Sequence, residues 1–242
     1  VGVHSGQRAT VQLRPAGFGE GLVLHVDDRS CPVRPTVARA VPGATVLGPP
    51  GAEVSTPEHL LAALLGMGVT DTHIHVSGPE VPVLDGSASP WCEAIEEAGV
   101  VEGPLHTWSS WGAGEVCGHG GRMVWSPGEP SAVVHVDFGE GGPTGSARWV
   151  PGDDFVGQVA WARTFVLAGQ VEALRAMGRG RGATAGNTLV WGQGVPRRPD
   201  EPVVHKLLDL LGDLAVQGPL RGRVEVWRGS HALHHLALAE MR

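Results

Sequence analysis

Apolar and polar positions alternate along Thr10–Arg14 and run apolar through Leu22–Val26, each stretch closing on a Gly or Asp cluster, which predicts two early strands. A third short strand is predicted at Thr45–Leu47. Leu60, Leu61, Leu64 and Leu65 then recur at helical spacing. Ser55 and Glu58 ahead of them have capping-box spacing, Pro57 suits a first helical turn, and Gly66 and Gly68 stop the helix. Thr72–Val76 alternates like a half-buried strand, and Pro90–Ala98 reads as a second helix.

The Gly/Pro-marked stretch Val101–Pro104 is the best boundary, dividing the chain into 1–103 and 104–242. Beyond it, strands are predicted at Arg122–Trp125, Ser131–Phe138 and Ser146–Val150, a helix from about Phe155, a strand at Ala162–Val166 and a helix at Val171–Met177. Gly178–Gly182 reads as a flexible connector or lid. Asn187–Trp191 is a predicted strand, Pro202–Val216 a long helix, Arg223–Trp227 a strand and His231–Met241 the last helix. Each half offers a sheet and at least two helices, an α+β plan of two two-layer domains.

Composition narrows the function classes. The 242 residues are 42% hydrophobic and 18% charged, enough for a substantial core. The formal charge of −7 and the absence of a basic tract argue against a nucleic-acid partner. No apolar run approaches a membrane span of about 20 residues. Cys31, Cys92 and Cys117 are odd in number and form no CxxC pair, which favours reduced thiols in a cytoplasmic protein. Of the 18 Lys and Arg residues only Lys206 is lysine, so it is a candidate for a site that needs a compact ammonium rather than a planar fork. The alternative is chance survival of one lysine in a GC-rich genome.

Chemistry concentrates on the long helix. His205, Asp209 and Asp213 fall at i, i+4 and i+8 and stack along one face of an otherwise apolar segment. A polar stripe on a buried helix is costly unless it is paired or holds a metal. His and Asp one turn apart can both reach one cation. A plain His–Asp pair on a partly exposed face is the competing reading. Glu58 and His59 open the earlier helix about 100° apart, so they fit one ligand and one general base. As isolated residues they would be ordinary first-turn polar side chains. Together His59, His205 and Asp209 make a two-histidine, one-carboxylate set with room for a fourth ligand. His231 opens the last helix, where it can face a cleft, whereas His234 and His235 read as a solvated cluster. His73 and His75 read as structural, and His4, His25, His106, His119 and His135 show no convincing partner.

These segments taken together resemble the UDP-3-O-acyl-N-acetylglucosamine deacetylase family. The matching pieces, in order, are Gly2–Gly6, Thr56–Leu64, Val81–Ser87, Ala162–Phe165, Asn187–Val190, Glu201–Asp213 and Gly229–Leu233. They span nearly the whole chain. The chain begins, at Val1, inside the family's first conserved block, so the family's leading strand is expected to be absent. The resemblance implies an active site between the two domains and one Zn²⁺ per chain on His59, His205 and Asp209. It implies Glu58 as general base for the attacking water, and Thr164 as a hydroxyl that helps hold the oxyanion. His231, cationic and held by Asp213, would protonate the departing amine. Lys206 would contact the polar part of the substrate, an acylated UDP-N-acetylglucosamine. Phe165 and the apolar parts of Leu167–Met177 would line a passage for the acyl chain. The implied protein is a cytoplasmic, lipid A-synthesising monomer without an integral membrane segment. The chain departs from the family pattern at Pro57, Val204 and His234 and in its short loop between Val190 and Asp200, which leaves acyl length and nucleotide affinity open. Two other readings stay open: a non-catalytic UDP-sugar or lipid-binding relative, and a zinc amidase for another N-acetyl sugar.

Overall fold

The computed structural model describes residues 1–104 and 108–241. Its first part runs β1 (Thr10–Pro15), β2 (Leu22–Val26), β3 (Arg29–Pro32), β4 (Ala38–Val41), β5 (Ala44–Leu47), β6 (Val54–Ser55), α1 (Glu58–Gly66), β7 (Thr72–Ser77) and α2 (Ser89–Ala98). The rest runs β8 (Gly114–Gly118), β9 (Gly121–Ser126), β10 (Ser131–Asp137), β11 (Thr144–Trp149), β12 (Phe165–Leu167), α3 (Val171–Ala176), β13 (Leu189–Trp191), α4 (Glu201–Leu214), β14 (Arg223–Trp227) and α5 (His231–Glu240). A four-stranded sheet has the order β1-β7-β2-β3 and a five-stranded sheet the order β11-β10-β14-β9-β8. A small β4-β5-β6 sheet and a β12-β13 pair complete the α+β fold.

Both large sheets contain one parallel pair, β2 with β7 and β10 with β14, flanked by antiparallel neighbours. Alternation in these strands is a two-sided surface seen end-on. Ile74 and Val76 of β7 are buried, while the intervening His73 and His75 are only half-buried. Among the described residues no helix is long and apolar enough to cross a membrane.

Helices α1 and α4 pack directly on each other, and α4 also lies on β10 and β11. Every residue of α4 except Lys206 is buried. Burial on all sides needs close helix contact, and Gly212 provides it. A Cβ at Gly212 would sit 2.0 Å from the Glu58 carbonyl oxygen. The first turn of α1 and the middle of α4 are thereby brought together.

Several local expectations are corrected. Ser55 does not cap α1, because it lies in β6 and pairs with β5. The turn into the helix is instead made by Thr56, which takes a left-handed φ of 54°, followed by Pro57. The segment after Phe155 is a single π-helical turn, Val156–Ala160, and the next strand starts at Phe165 rather than Ala162. Gly178–Gly182 donates backbone hydrogen bonds to the N-terminal segment, from Arg181 N to His4 O and from Gly182 N to Val3 O. Strands β3, β4, β6 and β8 have no counterpart in the expected pattern. They are short or mostly polar, and neighbouring strands define them.

Candidate active site

The walls of a cavity of about 750 Å³ include Glu58, His59, Thr164, Phe165, Lys206 and His231. His205 and Asp209 also face it, whereas Asp213 lies behind the wall. Val41, Pro42, Val81, Val83 and Phe138 add apolar lining. From Leu167–Met177 only Gln170 reaches the cavity among the described residues, so the expected apolar lining from that stretch is supplied by other elements.

The entry to α1 sets the first two polar groups. The Thr56 backbone amide donates to Thr45 O on β5, and its hydroxyl reaches buried Glu80 at 3.4 Å. Glu80 also accepts from the His4 and Ser5 amides, at 2.9 and 2.7 Å, which explains the N-terminal Gly2–Gly6 motif. Glu58 then points inward beside α4, and His59 turns toward His205.

His59 Nε2 lies 3.7 Å and His205 Nε2 3.4 Å from Asp209 Oδ1. These separations are too long for hydrogen bonds. They match the edge of a tetrahedral ligand shell with bonds of 2.0–2.1 Å, which is about 3.4 Å. The three ligand atoms all lie within 4.8 Å of one another. Lys206 Nζ donates to the other oxygen, Asp209 Oδ2, at 2.8 Å, leaving Oδ1 to the imidazoles. Burial, opposed by Asp209 and reinforced by His59, holds His205 down at about 3, so its ring is neutral. Burial would raise Asp209, but the neighbouring charges, Lys206 and His231 among them, outweigh it and keep the carboxylate ionised. Neutral imidazole and ionised carboxylate are the protonation states a metal ligand requires. The donor set and its spacing fit one divalent cation.

Beside this set stand groups with opposed proton affinities. Burial pushes Glu58 up to about 7, with His231 opposing. Burial would lower His231, but Asp213 and Asp209 raise it to about 9. His231 Nε2 lies 3.9 Å from Glu58 Oε1 and 3.9 Å from Asp209 Oδ2. Its Nδ1 meets Asp213 Oδ2 at 2.7 Å. Phe165 sets its ring edge-on to His205 with centroids 5.6 Å apart. Thr164 is fixed by its backbone, which donates to Gly86 O and accepts from Leu189 N. The adjacent Arg163 forms a buried pair with Glu201 at the start of α4, at 2.8 Å.

The family model of UDP-3-O-acyl N-acetylglycosamine deacetylase matches residues 1–242. The chain belongs to this family. Similar curated deacetylases bear the name UDP-3-O-acyl-N-acetylglucosamine deacetylase. That of Myxococcus xanthus is 37% identical over 252 residues, covering 97% of this chain and 80% of the relative. That of Synechocystis is 37% identical over 263 residues, covering 97% and 91%. That of Thermosynechococcus vestitus is 39% identical over 248 residues, covering 97% and 87%.

Within this deacetylase fold, all nine candidate residues gather at one site, eight on the cavity and Asp213 behind it. Other residues of the site were missed in sequence. His234 is fully buried, not solvated, and its Nδ1 meets Asp213 Oδ2 at 2.7 Å. His235 Nε2 meets Thr45 Oγ1 at 2.9 Å. The spacing of His231, His234 and His235 at i, i+3 and i+4 was the available signal for a shared face. Thr45 had none. Asp213, His231 and His234 could also be read as a metal-binding group. Their direct 2.7 Å contacts are hydrogen bonds and leave no shell-sized gap for an ion. Elsewhere, His25 hydrogen-bonds His73 at 2.8 Å and stacks on His75, and His135 bonds Ser146 and Glu225, so these rings do have partners. His119 lines the cavity, and His106 lies outside the described residues.

Proposed function

We propose that the protein hydrolyses the N-acetyl group of a UDP-3-O-acyl-N-acetylglucosamine, releasing acetate and the free amine of the lipid A precursor. The observation that carries this reading is the spacing of His59, His205 and Asp209 around one point, beside a carboxyl held near neutrality. Those three residues would hold Zn²⁺. When bound, zinc polarises a carbonyl as a Lewis acid and lowers the pKa of water.

The residues of the chain supply the rest. Glu58 takes a proton from the water that attacks the acetamide carbon, a role suited to a carboxyl that titrates near the working pH. The new C–O bond puts charge on the former carbonyl oxygen. The Thr164 hydroxyl and cationic His231 stabilise that charge from fixed positions. On collapse the C–N bond breaks and His231 gives its Nε2 proton to the departing amine. Glu58 and His231 face each other across 3.9 Å, so a proton returned between them resets the pair. Lys206 is the one α4 residue not among the buried ones and bonds Asp209, and its ammonium would meet the polar part of the substrate as well. The apolar lining of Val41, Pro42, Val81, Val83, Phe138 and Phe165 suits an acyl chain.

Acetate release from the acylated UDP-sugar by purified protein tests the reading. Release that is lost in His59→Ala supports it. Substrate binding without release would favour a binding relative, and release from a different N-acetyl sugar alone would favour another amidase.

A further inference from the structure

The network behind His231 is larger than an Asp–His pair. Asp213 is fully buried and ionised, held so by His231 and by hydrogen bonds that outweigh burial. An ionised carboxylate only accepts, so every partner atom facing it must donate. His231 and His234 each present Nδ1 to Oδ2 at 2.7 Å. The Thr45 hydroxyl approaches Oδ1 at 2.6 Å. Its single proton is committed there, so His235 Nε2, 2.9 Å away, must donate to Thr45 in turn. Hydrogen-bond arithmetic thus places a proton on His231 Nδ1, His234 Nδ1 and His235 Nε2, and fixes the tautomers of the last two rings.

His234 does little else. Its ring is fully buried and its Nε2 has no hydrogen-bond partner among the described residues. The ring edge is admitted only because residue 229 is glycine, where a Cβ would lie 2.8 Å from His234 Nε2. A buried, unsatisfied ring nitrogen is a cost that an apolar side chain would avoid. What offsets it is the donation from Nδ1 to Asp213.

We propose that His234 is a positioning residue: its Nδ1–H and the Thr45 hydroxyl clamp the two oxygens of Asp213, so that Oδ2 stays aimed at His231. Thr45 extends the clamp to the base, because its backbone amide faces Glu58 Oε2 at 3.4 Å. The catalytic meaning of the clamp rests on reading His231 as the proton donor; its geometry does not.

Paired substitutions test it. His234→Leu removes the donor at similar bulk, and His234→Asn restores one where Nδ1 stood. Thr45→Val removes the hydroxyl and Thr45→Ser restores it. His234→Leu and Thr45→Val are expected to lower kcat about ten- to a hundredfold with KM little moved, the scale typical of lost supporting hydrogen bonds. The Asn and Ser variants should recover most of that loss. In NMR spectra of the metal-loaded protein, the Nδ1–H signals of His231 and His234 should both lie downfield. The His231 signal should weaken or move in His234→Leu and in Thr45→Val. Folded variants with wild-type kcat, or an Asn variant as impaired as the Leu variant, would overturn the proposal. If His234→Leu does not fold, the Thr45 pair decides. If the wild type releases no acetate, the functional reading fails, and an unmoved His231 signal in the folded variants separately overturns the clamp.

Discussion

Glu58 and His231 sit side by side, yet burial lifts one to about 7 while carboxylates lift the other to about 9. The proposed reaction needs Glu58 deprotonated and His231 protonated. Activity should therefore rise as pH climbs through about 7 and fall as it passes about 9, which a kcat/KM profile checks. Glu58→Ala should keep its metal and lose turnover by about 10²–10⁴-fold, the usual effect of removing a general base. Unchanged turnover with metal retained would remove Glu58 from the mechanism. Lys206→Arg should impair catalysis more than any other Lys/Arg exchange, because a planar fork cannot replace a compact ammonium that reaches both Asp209 Oδ2 and the cavity. At this scale the α4 stripe of His205, Asp209 and Asp213 was legible, since helical spacing alone puts the three on one face. Thr45 and His234 were not. Thr45 is remote in sequence from Asp213, and the choice between burial and solvation for His234 depends on what α5 packs against.

Between elements, the site depends on how closely α1 approaches α4. Gly212→Ala would drive a Cβ against the Glu58 carbonyl. Overpacking of this kind costs about 1–3 kcal/mol, and here it should also part His59 from His205 and weaken metal binding. Thermal melting and metal titration of the variant check both effects. Glu201→Gln tests the other end of α4. Glu201 is fully buried and accepts from the Arg163 side chain and from the Arg163 and Arg197 backbone amides. Breaking a buried ion pair from one side costs about 3–5 kcal/mol, so the melting temperature should drop sharply. Most strands and all the long helices could be placed from apolar periodicity. The start of α1 could not be read correctly, because the capping-box spacing of Ser55 and Glu58 competes with pairing of Ser55 into β6. Tertiary strand pairing overrode the local signal.

Across the whole molecule, the proposed zinc ligands come from α1 and α4, so metal binding and folding are coupled. Metal present at a thousandfold over its Kd adds about 4 kcal/mol to stability. Chelation should accordingly lower the melting temperature and abolish acetate release, and added Zn²⁺ should restore both. The α+β class and the gathering of the candidate residues could be anticipated from the chain. The cavity's apolar lining could not, because it is assembled from the end of β4 and the turn after it, the loop after β7, the residue following β10, and β12, none of which is marked as neighbouring the others by spacing. The most direct measurement is elemental analysis of the purified protein alongside His59→Ala and His205→Ala. The account predicts about one zinc per wild-type chain and loss of that zinc in both variants. A folded, metal-free wild type, or variants that keep a full equivalent, would contradict it.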